Sequence, residues 1–173
     1  MQTTPNTIPA GLKDLNQWVV WKYINKDGRP TKVLYSPQTG KPAKSNAAAT
    51  WGTLAAAQKA LTTGKYEGLG IVLTNGLCGI DLDHVINEAG EIEDPAAAEI
   101  ISNMDSYTEI SPSGTGIHIL FKGVIYTTDE YYSHKGNIEI YSGGRYFTFT
   151  GNALDPVKPI EERTEQAQSI QEK

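Results

Sequence analysis

Apolar and polar positions alternate along this chain in short runs, and the runs predict mostly strands. Residues 17–23 are a β-rich stretch holding Trp18, Val19, Val20 and Trp21. Asn25, Lys26, Asp27 and Gly28 then supply a turn, and residues 31–35 resume the apolar run, which together predict a hairpin. Residues 36–49 are rich in Pro, Gly, Lys, Ser and Asn, lack any apolar period and predict a loop. A helix is predicted over residues 51–61, where alanines recur at helical spacing.

Two apolar runs follow, residues 69–73 and 77–82, and the turn signal Thr74, Asn75, Gly76 between them predicts two tightly joined strands. Pro95 suits a first helical turn and Asp94 suits its cap, so residues 95–103 predict a helix. Further strands are predicted at 107–110, 117–121, 138–141 and 146–150, each bounded by Gly, Ser, Pro or Asn. This order predicts an α+β or α/β domain built on a mostly antiparallel sheet. The expected layout is a disordered leader over residues 1–14, one domain over 15–155 and a polar tail over 156–173, weakly helical at most.

Length and composition fit this layout. A chain of 173 residues is long enough for one real core and short for two. Cys78 is the single cysteine, which excludes a disulfide framework. No apolar stretch reaches the length of a membrane span, and the start has no basic segment leading into an apolar one. A soluble intracellular protein is expected. The net charge of -5 conceals a division. Residues 1–66 hold nine Lys or Arg against two acids, a balance of +7, and residues 67–173 hold six against eighteen, a balance of -12. Such a split suggests a basic half facing phosphates, with Lys32, Lys41 and Lys44 as its candidates, and an acidic half facing cations.

Three places in the acidic half carry candidate chemistry. Asp81 and Asp83 end an apolar strand two residues apart, so they share a face while Ile80 and Leu82 point to the core. Paired carboxylates repel unless a cation lies between them, although a solvated acidic turn has the same pattern. An EF-hand is excluded because Val85 and Ile86 stand where that loop needs an oxygen ligand and a glycine. Ser111, Ser113, Gly114, Thr115 and Gly116 form a small-residue loop that lets backbone N–H groups approach phosphate, and His118 follows on a strand as a further donor. Ser111 replaces the first glycine of a nucleophile elbow, no Walker-type phosphate loop exists, and no second histidine stands two residues from His118. Glu139, between Ile138 and Ile140, offers a third carboxylate, and Arg145 after Gly143 and Gly144 suits a phosphate.

The series Ile80-Asp81-Leu82-Asp83, then Gly116-Ile117-His118, then Ile138-Glu139 resembles the three motifs of archaeo-eukaryotic primases. The resemblance extends to phage and plasmid primase-polymerase domains through residues 17–21, Lys41 with Ala43, residues 50–52, 68–70, 106–114 and 144–146. It covers about residues 15–152. It implies a small N-terminal αβ unit plus an RRM-like, mostly antiparallel sheet, with the site between them. It implies template-directed nucleotidyl transfer, as DNA polymerase or primase, with Asp81, Asp83 and Glu139 holding two Mg2+ or Mn2+ ions and His118 contacting a dNTP or NTP. Ser111, Ser113, Gly114, Gly116 and Arg145 would complete the nucleotide pocket. Template DNA and a primer are the implied partners, with a helicase domain or protein beyond the tail. Two other readings stay open: a non-catalytic DNA- or nucleotide-binding module of a replication protein, and a metal-dependent nuclease.

Overall fold

The computed structural model describes residues 8–125, 131–134 and 137–171. Its elements run α1 (Ala10–Lys13), β1 (Trp18–Lys26), β2 (Arg29–Tyr35), α2 (Leu54–Leu61), β3 (Gly68–Leu73), β4 (Leu77–Leu82), α3 (Pro95–Met104), β5 (Thr108–Ile110), β6 (Ile117–Lys122), β7 (Tyr131–His134), β8 (Ile138–Tyr141), β9 (Arg145–Phe149) and α4 (Thr164–Gln171). The α+β expectation holds, with two antiparallel sheets in place of one. The first has the order β2-β1-β3-β9 and the second β5-β6-β4-β8-β7. β3 and β4 follow each other closely, as expected, yet the chain passes from one sheet to the other between them.

Strand alternation explains the layers. The face of β4 that bears Cys78, Ile80 and Leu82 packs with Ile119 and Ile140 against Ile100 and Met104 of α3 and Ala167 and Ile170 of α4. Trp18, Val20, Ile71 and Phe149 of the first sheet pack against Leu12, against Ala57 of α2, and against Tyr107 and Leu120 of the second. Two polar expectations are corrected by these contacts. Of the leader, residues 1–7 lie outside the described residues, but Ile8 and Leu12 are core, and the Trp18 indole N–H donates to the Leu12 carbonyl at 2.9 Å. The tail folds into α4, whose two apolar residues are buried.

Helix starts follow cap chemistry. Asp94 accepts from the Ala96 amide as expected, whereas α2 begins at Leu54, three residues later than the alanine spacing suggested, because the Thr53 hydroxyl caps it. Among the described residues no helix is long and apolar enough to cross a membrane.

Candidate active site

The second sheet turns one face toward the first, and that face carries a row of ionisable groups. Cross-strand register puts Glu109 beside His118, His118 beside Asp81, and Asp81 beside Glu139, one residue from each of β5, β6, β4 and β8. Directly opposed side chains are nearest neighbours in a sheet, so the four interact across the strands. Alternation keeps Ile80, Leu82, Ile119 and Ile140 on the opposite face, in the core. Asp83 follows just past the end of β4, exposed, with its amide donating to the Asn137 carbonyl.

Opposite this row, the first sheet supplies Lys32 from β2 and Arg145 from the start of β9. A cleft of about 390 Å³ lies between, lined by Asp81, Asp83, His118, Lys32 and Arg145, and by Ser111, Ser113 and Thr115 of the β5–β6 loop. The three hydroxyls form a chain, each oxygen 3.0 Å from the next. Gly114 and Gly116 shape this loop without lining the cleft. Gly114 has φ +80°, and a Cβ at Gly116 would stand 3.0 Å from the Ser111 Oγ. The Gly116 amide already donates to that Oγ, so it is not a spare phosphate donor.

His118 is held from several sides. Its ring stacks on Phe147 with centroids 4.5 Å apart, and a Cβ on Gly79 would come within 2.4 Å of Phe147, so the glycine makes room for this seat. Nδ1–H donates to the Thr148 carbonyl at 3.2 Å, since a carbonyl only accepts. Nε2 faces Asp81 at 3.6 Å. Burial pushes the imidazole down to about 4.

The carboxylates crowd one another. Asp81 is pushed up to about 7, first by burial, then by Asp83 and Glu139, with Lys32 pulling the other way. Glu139 accepts from the Tyr141 hydroxyl and borders the cleft through its neighbour Asp81. Among the described residues no three His, Cys, Asp or Glu side chains are already gathered into a metal-binding set. The donor chemistry nevertheless suits a hard cation: oxygen ligands whose mutual repulsion a divalent charge would relieve.

Of the lysines, Lys32 lines the cleft, whereas Lys44 lines an adjoining groove that shares Arg145 and Tyr146 with it. The groove's loop is tied down by the Ser45 hydroxyl, which donates to the Gly144 carbonyl at 3.0 Å. Lys41 is exposed and lines neither. Sequence reasoning gave no role to Glu109, Phe147 or Thr148. Glu109 carries the signal that marked Glu139, an acid inside a strand, and it lies wholly buried.

No family model matches the chain. The chain is similar to the DNA primase-polymerase of Nitratiruptor phage NrS-1, with 38% identity over 165 residues, which cover 90% of this chain and 22% of that protein. It thus spans about a fifth of the length of the relative it matches.

Proposed function

We propose that this chain is the nucleotidyl-transfer domain of a phage or plasmid replication protein, extending DNA 5'-to-3' on a template as a polymerase, a primase or both. The observation that carries the reading is the row of Asp81, Glu139 and His118 set across one cleft from Lys32 and Arg145. Similarity to the phage primase-polymerase supports the same reading. A module that only bound DNA would gain nothing from carboxylates that repel one another beside a phosphate site.

Each residue then has a stated task. Asp81, Asp83 and Glu139 would hold Mg2+ or Mn2+, and in two-metal sites such ions activate the attacking hydroxyl and stabilise the leaving group. Arg145 offers a planar fork for phosphate oxygens, and Lys32 a point charge facing it. Ser111 and Ser113 turn their hydroxyls toward the triphosphate. His118 with its proton on Nδ1 offers Nε2 as an acceptor. A triphosphate in the cleft favours the imidazolium, which donates to it from Nε2. The protein thereby positions the nucleotide and balances its charge. Template DNA, a primer and nucleoside triphosphates are the ligands of this reading, and a helicase is the replication partner it calls for.

An end-labelled primer annealed to a longer template, incubated with dNTP or NTP and with Mg2+ or Mn2+, tests it. Primer lengthening is expected. Shortening would assign the cleft to a nuclease, and binding without either change would leave a recruitment module.

A further inference from the structure

Glu109 has no part in the chemistry above, yet it is the most enclosed carboxyl of the row, with its side chain 1% exposed. A buried carboxylate needs donors, and four reach it. The Tyr107 hydroxyl and the Gly151 amide donate to Oε1 at 2.9 and 3.2 Å, and the Thr150 amide and hydroxyl donate to Oε2 at 2.9 and 3.1 Å. These donors belong to different sheets. Tyr107 precedes β5 in the second sheet, and Thr150 and Gly151 are where the chain leaves β9 of the first. Glu109 therefore ties the exit of β9 to the sheet that holds His118.

The tie bears on His118 through two acceptors. Thr148, on β9 just before the anchored amides, accepts from His118 Nδ1 at 3.2 Å. Glu109 Oε2 lies on the same side of the ring, 4.0 Å from Nδ1. The Thr148 carbonyl has no proton to give and is the ring's nearest acceptor, closer than Asp81, which stands 3.6 Å from Nε2, so a neutral ring keeps its own proton on Nδ1. We propose that Glu109 is a positioning residue for His118, fixing the ring's Nδ1–H tautomer and aiming Nε2 into the cleft, and that it acts on nucleotide binding through this ring alone. The role deepens the nucleotidyl-transfer reading and rests on it only for the nucleotide. Support of a ring nitrogen by an acceptor behind it is a general device for orienting histidines at reactive centres.

Packing alone does not account for the carboxylate. The amides of Thr150 and Gly151 need acceptors, but a carboxyl pushed up to about 7 by burial is an expensive way to provide them. Glu109→Gln separates the possibilities. Its amide NH2 must face donors on one side or the other, and the backbone N–H groups of Thr150 and Gly151 cannot turn away as hydroxyls can. The β9 exit should move, and the Thr148 carbonyl with it.

The test is ring-nitrogen NMR of the full chain, in which His84, His118 and His134 are the three histidines, with steady-state primer extension beside it. The parent should show His118 as the Nδ1–H tautomer. Glu109→Gln should leave the ring without a single tautomer and without its fixed aim into the cleft, and so raise the nucleotide KM by about tenfold, the weight of one hydrogen bond to a charged group, with kcat changing less. A parent-like tautomer and KM in a folded Glu109→Gln would overturn the proposal. Should that variant not fold, Tyr107→Phe removes one donor and keeps the carboxylate. It should give the same two changes in smaller measure, and parent-like values there would equally overturn the proposal. A parent that extends no primer would defeat the polymerase reading, while the His118 spectra would still decide the role of Glu109.

Discussion

The four-stranded sheet brings cations to the cleft, Lys32 and Arg145, whereas the five-stranded sheet brings Asp81, Glu139 and the neutral His118. The first sheet is also the more composite, closed by β9 from the far end of the chain, and the second is built from consecutive strands. Charge segregation along the sequence therefore becomes charge opposition in space, with one exception. Arg145 belongs to the acidic half of the chain and reaches the basic side only because β9 pairs with β3. The site is thus a property of the junction between the sheets, and each sheet can be perturbed separately.

Removing one proposed nucleotide contact from each side should cause the largest loss of nucleotide affinity. His118→Ala from the second sheet and Arg145→Ala from the first should each weaken nucleotide binding by about 1.5–3 kcal/mol, the range for hydrogen bonds to charged groups. Calorimetric titration with a non-hydrolysable triphosphate measures this. Loss of DNA binding with nucleotide binding intact would put the pocket elsewhere. Next in size is a change at the contact between the sheets. Gly79→Ala drives a methyl toward the Phe147 ring and should destabilise the fold by about 1–3 kcal/mol. Denaturant titration reads the loss, and because Phe147 seats His118, weaker nucleotide binding should accompany it.

The lysines should divide by position. Lys44→Glu, in the groove beside Arg145, should lower template affinity and flatten its salt dependence, and Lys41→Glu should do so less. Equal effects would show that only the loop's overall charge matters. The smallest effect is expected behind β4. Burial pushes the Cys78 thiol up to about 12. Its alkylation at about pH 8 should therefore be at least about a thousandfold slower than that of an ordinary thiol, because so little thiolate is present. A rate near that of an ordinary thiol would mean that this face of the second sheet opens readily.

Much of this architecture was legible in the sequence wherever the signal was local. Alternation placed Asp81 opposite Ile80 and Leu82, and the Asp94–Pro95 pair marked the start of α3. Signals failed where tertiary contact decided the outcome. Leu12 and Ile170 have few apolar neighbours in sequence, and their helices gain stability from the core they touch more than from their own pattern. The strand Tyr131–His134 was missed because its four residues are short of apolar side chains and show no apolar alternation. Register was beyond reach as well. That Glu109, His118, Asp81 and Glu139 form one row depends on pairings between residues far apart in the chain, such as Asp81 with Glu139, which no local spacing encodes.

The central claim is that the acids facing the cleft serve nucleotide transfer and are not simply a solvated surface. Extension of a labelled primer by the Asp81→Ala, Asp83→Ala double variant, beside the parent and with Mg2+ and Mn2+ compared, tests it most directly. The account expects the parent to extend the primer and the double variant to incorporate nothing. Its fold should be intact, or more stable without metal, because the carboxylate repulsion is gone. Incorporation by the double variant at the parent's rate would contradict the account.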